Sequence, residues 1–390
     1  MEDGDSLTSG RGTDRVLRVV LCTDGVFPHA LGGMQRHSRL LAEHLARTPG
    51  IEITVLHPHD VQVFAPASGI HEAHVAPLDP GRNYLLELWR YSGRMAAAVE
   101  ALNPDAVLSQ GFSVWKGSQA FSGRLLVMPH GLEMFQGLTM RDRVIGWPFR
   151  IALRSVVRKA AVVVSLGGRL TPILERLTRG SRARVAVVPN AVEAPAIPPP
   201  FPVDRRPLNL LFVGRFAFNK GIDVLLQVAR RLVDEGRGGE VRFVLAGDGP
   251  EKARMERDGL PSNVMLAGKV DDARLEQLYA ECHALVLPTR FEGMPTVVLE
   301  AMARARPVIV SDVGASAELV DSTNGWLLPA GDPHALHQAI LGMLALPLDS
   351  LKAKGAAGRS RVTERFTWER VVNAFSELLA ARTVSAPSHP

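Results

Sequence analysis

The feature that constrains this chain most is a grammar that it runs through twice. Short apolar runs, each closed by a turn residue, alternate with longer stretches whose apolar residues recur at helical spacing. "RVLRVVLCTD" (15–24) is one such run. It is followed by the loop "GVFPHALGG", by the helical stretch "MQRHSRLLAEHLAR" with Leu40, Leu41 and Leu45 at helical spacing, and by the run "IEITVLHP". Strand, loop, helix and strand in that order make a βαβ unit, and its two strands lie parallel. "PDAVLSQG", "RLLVMPHG", the helical "FRIALRSVVRKA", "AVVVSLGG" and "RVAVVPNAV" complete a first half. Six prolines in positions 195 to 207 then predict a stiff, extended linker. The grammar restarts at "LNLLFVG" and ends in an amphipathic stretch, "TWERVVNAFSELLAAR".

The expected fold is therefore α/β with two Rossmann-like domains. Residues 1–14 read as a mobile tail, 15–194 as the first domain, 195–207 as the linker, 208–365 as the second domain, and 366–390 as a final helix and tail. In open α/β sheets ligands bind outside the carboxyl ends of the strands, so the expected site is a cleft where the two sheets face each other. The first glycine loop lacks the spaced G-x-G-x-x-G pattern, so no dinucleotide cofactor is indicated. Gly32 and Gly33 instead allow the backbone to approach a ligand closely.

Composition removes other classes. No apolar run reaches the roughly 18 residues of a membrane span. The first residues are acidic and polar, without a basic-then-apolar leader pattern, so a cytoplasmic protein is expected. Cys22 and Cys282 each sit in or beside an apolar run and read as buried thiols. The net charge is +5, all of it in residues 1–200, with a local excess of +9 in residues 141–184. Nothing points to nucleic acid.

The stretch "PTRFEGMPTVVLEAMARARPVIVSD" (288–312) carries the densest chemistry. Glu292 falls in a loop after one strand, and Glu300 falls on the helix that follows. Pro295 suits a helix start, since its missing N–H would have no partner there. A helix start after a parallel strand offers free amides to an anion. Gly293, Met294 and Thr296 have amides to donate, whereas Pro295 has none. Arg215 and Lys220, five apart in the loop after "LLFVG", are suited to a diphosphate: the guanidinium grips two oxygens and the ammonium is a point charge. Spacing alone leaves a plain strand-loop-helix unit and surface cations equally open.

Taken together, "LGGMQRHSRLLAEHLA", "MPHGLE", "VVPNAV", "LLFVGRFAFNKGIDVLL", "VLAGDGP", "LAGKVDDARLEQLYAECHALVLPT", "FEGMPTVVLEAMA" and "SDVGASAELVDSTNGWLLPAGD", in this order, resemble the retaining GT-B glycosyltransferases of family four. The resemblance covers roughly residues 16–380. It implies a sugar transferase with a nucleoside-diphosphate sugar donor and a hydroxyl acceptor, acting in polysaccharide, lipopolysaccharide or glycolipid synthesis, without metal or cofactor. It implies that Arg215 and Lys220 hold the diphosphate and that Glu300 holds the ribose. Glu292 and His130 would face the transferred sugar, Gly32 and Gly33 would approach the phosphate, and Lys269 and Val270 would hold the base. It also implies that the last helix crosses back onto the first domain. Ala191, where glycine is usual, and the "SLGGRL" segment, where a serine-rich version is usual, depart from the pattern.

Two rival readings stand beside this one. One is a nucleotide-sugar epimerase or hydrolase on the same architecture, and the other is a non-catalytic nucleotide-sugar binding subunit. His57, His59 and Asp60 are expected to form a strand-end loop rather than a metal site, and Asp3 and Asp5 are expected to lie in the tail. Arg150, Arg154 and Arg158, at spacings of four, share one face of a helix and suggest contact with an anionic membrane, where a lipid-linked acceptor would be met.

Overall fold

A computed structural model describes residues 16–383, apart from 31, 80, 82, 137–139 and 205. The expected tail, with Asp3 and Asp5, lies outside the described residues. The first half runs β1 (Leu17–Cys22), α1 (Gly33–Ala46), β2 (Ile51–His57), β3 (Ile70–His74), α2 (Tyr84–Leu102), β4 (Ala106–Gln110), β5 (Leu125–Met128), α3 (Met140–Val157), β6 (Val162–Ser165), α4 (Leu170–Thr178) and β7 (Arg184–Val187). All its strands are parallel, in the order β3-β2-β1-β4-β5-β6-β7.

The second half runs β8 (Leu208–Val213), α5 (Ile222–Asp234), β9 (Val241–Ala246), α6 (Lys252–Arg257), β10 (Val264–Gly268), α7 (Asp272–Glu281), β11 (Ala284–Leu287), α8 (Thr296–Ala303), β12 (Val308–Ser311), α9 (Ser316–Leu319), β13 (Gly325–Leu328), α10 (Pro333–Ala345) and α11 (Leu348–Arg365). Its sheet is again parallel, in the order β10-β9-β8-β11-β12-β13. In each sheet the strand order reverses at the first strand, between β1 and β4 and between β8 and β11. These switch points place the loops after β1 and β8 at the natural ligand crevice of each domain.

Most strands are covered on both faces, which is why they read as near-continuous apolar runs. β4, β5, β6, β11 and β12 are buried along their whole length. β3 differs: "IHEAH" is an edge strand with no fully buried residue, so it carries no apolar run. α2, a helix of 19 residues, starts at Asn83, whose side chain accepts from the Leu86 amide, and it ends at Asn103 in the left-handed region.

The last helix, α12 (Trp368–Thr383), returns to the first domain, as the resemblance implies. Its Trp368, Val371, Val372, Phe375 and Leu379 are buried in one cluster with Val19, Leu41 and Leu45. Each such side chain contributes about 1.5–3 kcal/mol of burial, enough to hold the helix firmly on α1. The chain thus passes between the domains twice, and the passages touch: the Val192 amide donates to the Phe366 carbonyl at 3.0 Å. The Arg359 guanidinium also donates to the carbonyls of Pro195 (2.7 Å) and Ala196 (3.1 Å). Arg306, fully buried, donates to the Tyr279 carbonyl (2.8 Å) and the Pro200 carbonyl (2.7 Å) and so ties the proline-rich segment to the second domain.

Cys22 and Cys282 are free and buried, and burial pushes the Cys282 thiol up to about 12. Among the described residues, no helix is long and apolar enough to cross a membrane.

Candidate active site

The C-terminal wall of the cleft is a set of charges fixed by one another. Gly221 caps the start of α5 with φ 70°, and a Cβ there would lie 1.9 Å from the Pro288 carbonyl oxygen. Only glycine lets the loop after β8 lie on the end of β11. The two loops are then stitched together. The Arg290 amide and the Thr289 hydroxyl both donate to the Asn219 carbonyl, at 2.8 and 3.0 Å. The buried Arg290 guanidinium forks onto both oxygens of Asp223 at 2.7 Å, and it stacks 3.9 Å from the centre of the Phe218 ring. Lys220 Nζ lies 2.5 Å from Glu292 Oε1. Arg215 is exposed and forms no ion pair among the described residues.

α8 begins at Thr296, after Pro295. Glu300, in its second turn, accepts from the Tyr279 hydroxyl at 2.8 Å. Burial and the nearby Glu300 hold that phenol well above its ordinary range. Lys269 is exposed after β10, and Val270 packs partly on the core.

The N-terminal wall meets this one closely. α1 begins at Gly33, after Gly32 with φ 154°. A Cβ on Gly33 would be 3.9 Å from Thr296 Oγ1, so two helix N-termini from different domains confront each other across the cleft. Arg36, one turn into α1, reaches over to Asp272 at 2.8 Å, with Glu300 at 3.9 Å. A Cβ on Gly293 would collide with the His130 carbonyl at 2.6 Å, so that glycine is required for contact as well as for its amide.

His130 sits in the left-handed region, with φ 59°, which residues with a Cβ adopt at a cost. Its Nε2 contacts Gln110 Oε1, and its ring meets His37 edge-on at 5.1 Å. Burial, with a smaller contribution from His37, lowers its pKa well below the usual histidine range. His37 is lowered to about 4 by burial, and among the described residues neither of its ring nitrogens has a hydrogen-bond partner. Glu133 is open to solvent but lies in a concave part of the cleft. Apolar surroundings raise its pKa, the charge of Glu292 adds to this, and Lys220 opposes it. Gln136, just beyond, donates to the Glu292 carbonyl at 3.2 Å.

The structure thus brings Gly32, Gly33, His130, Lys220, Glu292, Gly293, Thr296 and Glu300 to one cleft. Met294 is placed differently from the expectation of a ligand-facing loop residue. It is buried, its carbonyl accepts from Asn190 Nδ2 at 2.8 Å, and its sulfur accepts from the Asn190 amide at 3.3 Å. The two departures from the family pattern both fall at domain contacts. Ala191 is buried beside Asn190. Gly168 fits where a Cβ would lie 2.7 Å from the Gly314 carbonyl, and the Arg169 amide donates to that carbonyl at 2.9 Å.

His57 bonds to Glu72 at 2.8 Å, and His59 Nε2 accepts from the Val26 amide at 2.9 Å. The arginine face of α3 is less free than its spacing suggests. Arg150 donates to the Met134 carbonyl (2.6 Å) and Arg158 to the Arg179 carbonyl (2.6 Å), which leaves Arg154 as the exposed member of the three.

Arg36, Gln110, Glu133, Asp223, Tyr279 and Arg290 are missed by sequence reasoning. Arg36, Glu133, Asp223 and Arg290 had a usable signal, since each is within three residues of a residue that was singled out. Gln110 and Tyr279 reach the site from separate segments and had none.

Two family models match the chain: "Glycosyltransferase Family 4" over residues 31–194 and "Glycosyl transferases group 1" over residues 207–345. The chain is similar to the alpha-D-kanosaminyltransferase of Streptomyces kanamyceticus, at 29% identity over 54% of this chain and 56% of that protein, so it spans about half the length of that relative. Among solved structures, sucrose-phosphate synthase from Thermosynechococcus elongatus superposes with a TM-score of 0.80 at 20% identity, covering 95% of this chain and 99% of that one. Anabaena HepE in complex with UDP and glucose superposes with a TM-score of 0.71 at 17% identity, covering 94% and 100%.

Proposed function

Because the chain belongs to the GT-B glycosyltransferases of family four, we propose that it moves a sugar from a nucleoside-diphosphate donor to a hydroxyl acceptor with retention of configuration. The observation that carries this reading is the meeting of Gly33 and Thr296 across the cleft, beside Lys220 and Glu292. Two helix N-termini and a cation converge where a diphosphate would lie. Arg215 and Lys220 stabilise the charge that grows on the departing diphosphate, an effect larger in the transition state than before it. Lys220 is parked on Glu292, and an arriving phosphate would take its place.

Glu300, oriented by Tyr279, accepts from the ribose hydroxyls. Glu292 and His130 face the sugar. With Nε2–H donating to Gln110, His130 offers Nδ1 as an acceptor, and its low pKa keeps it neutral. The bond from the anomeric carbon to the phosphate oxygen breaks as the acceptor oxygen bonds on the same face, and the acceptor proton passes to the departing phosphate. Lysine and arginine supply the positive charge, so no metal is needed. Lys269 and Val270 hold the base. We place the enzyme in the cytoplasm, in polysaccharide, lipopolysaccharide or glycolipid synthesis. A peripheral station on an anionic membrane, where a lipid-linked acceptor is met, is supported by Arg154 and the exposed apolar residues of α3.

Calorimetric titration with UDP, GDP and their sugars, with and without EDTA, tests the reading. One nucleotide should bind in EDTA and weaken in Arg215→Ala. Binding of none, or loss of binding in EDTA, overturns it.

A further inference from the structure

The N-terminal wall contains a cavity of about 420 Å³, the size of a small-molecule site. Tyr84 and Leu88 of α2, Phe112 after β4, Ile145 and Phe149 of α3, and Phe291 of the opposite domain line it. Its ionisable lining groups are Glu133 and the phenol of Tyr84. Phe291 precedes Glu292, so the cavity adjoins the place where the sugar would be transferred. A saccharide acceptor would require several hydrogen-bonding partners, because a buried hydroxyl left unpaired costs binding. This lining offers mostly aromatic and aliphatic surface, with one carboxyl group and one phenol as its polar side-chain groups. The apolar character continues outward on the same two helices. Tyr84 and Leu86 of α2, and Val144, Ile145, Trp147 and Ile151 of α3, are exposed well beyond what scattered surface residues require.

We propose that this cavity holds the apolar part of the acceptor, a hydroxyl compound carried on an alkyl chain or ring system, with Glu133 hydrogen-bonded to its hydroxyl end. The proposal rests on the sugar-transfer reading and narrows its acceptor class. Glu133 suits this role because it lines the cavity next to Phe291, where its carboxylate can accept a hydrogen bond from an entering hydroxyl. It is a positioning group, since the departing phosphate takes the proton.

The test is titration of the full chain with n-alkyl β-glucosides from methyl to octyl, below their micellar concentrations, with nucleotide binding measured on the same preparation. Affinity should rise severalfold per added methylene until the cavity is filled. Ile145→Asn, at an exposed rim position, and Phe149→Ala should flatten that rise without changing nucleotide binding. Trp147→Ala, on the exposed surface beyond the cavity lining, should leave it intact. Equal affinity from methyl to octyl while a nucleotide still binds would overturn this inference alone. So would an equal loss in Trp147→Ala and Ile145→Asn, which would assign the binding to the outer surface. Failure of both ligands would remove the sugar-transfer reading with it.

Discussion

The two walls of the cleft are built on opposite principles. On the second domain most of the charged groups are held by partners: Lys220 by Glu292, Arg290 by Asp223, and Glu300 by the Tyr279 hydroxyl, while Arg215 forms no ion pair among the described residues. On the first domain, apart from Arg36, the polar groups lie among aromatic and aliphatic side chains: burial lowers the pKa of His37 and His130, and desolvation raises that of Glu133. A wall of fixed charges binds an ion whose charge changes during reaction, because the partners are already oriented when the charge appears. A wall of apolar shape selects a molecule by what it excludes. On the proposed reading, the charged wall would take the donor and the apolar wall the acceptor.

The largest effect should come from the charged wall. Lys220→Ala should lower turnover by roughly 100-fold, about 3 kcal/mol of transition-state stabilisation, and Arg215→Ala should act in the same direction. Both should leave the melting temperature close to that of the parent, since Arg215 is exposed and Lys220 has Glu292 as its one ion-pair partner among the described residues. Near-normal turnover at saturating donor in either variant would break the contrast at its strongest point.

A smaller effect should mark the neutral wall. The folded pKa of His37 is lowered to about 4 from 6.5. Its contribution to stability is therefore complete above pH 6.5 and is lost as pH falls toward 4, because the unfolded chain takes up the proton first. His37→Phe should remove about 2 kcal/mol of the stability loss between pH 7 and pH 4.5, read from urea unfolding at both values. An acid response as steep as that of the parent would show that His37 is not the neutral group argued here.

The smallest effect belongs to the outer face of α3. With Arg150 and Arg158 donating to backbone carbonyls, Arg154 alone should govern preference for anionic lipid. Arg154→Gln should weaken co-sedimentation with anionic vesicles at low salt by roughly fivefold, about 1 kcal/mol. A parent protein with no preference for anionic over neutral vesicles would remove the membrane from the reading.

The same contrast explains what could be read in advance. The charged wall was legible because each of its functional sets lies within one loop and the helix after it, Arg215 with Lys220 and Glu292 with Glu300. The parallel sheets were legible wherever strands were buried on both faces, as in β4 or β11. β3 was not, since "IHEAH" is a half-exposed edge strand, and α2 was passed over with it. The apolar wall draws one to three residues from each of five segments, and nothing in local spacing links Leu88 to Phe149 or Phe291. Tyr279 of α7 and Glu300 of α8 are likewise brought together only by the tertiary fold. Reading the arginines of α3 by periodicity found the right face but missed the carbonyls that claim two of them.

The chain's two crossings between domains lie side by side, joined by the hydrogen bond from Val192 to Phe366 and by the bonds from Arg359 to Pro195 and Ala196. A single tether would permit bending and swivelling alike. Two adjacent tethers suppress the swivel and leave one bending axis. Any relative movement of the two domains would then be a bend about that one axis, and every pair across the cleft would share a single coordinate. One distance, measured between a label near the start of α1 and another near the start of α8, would report it.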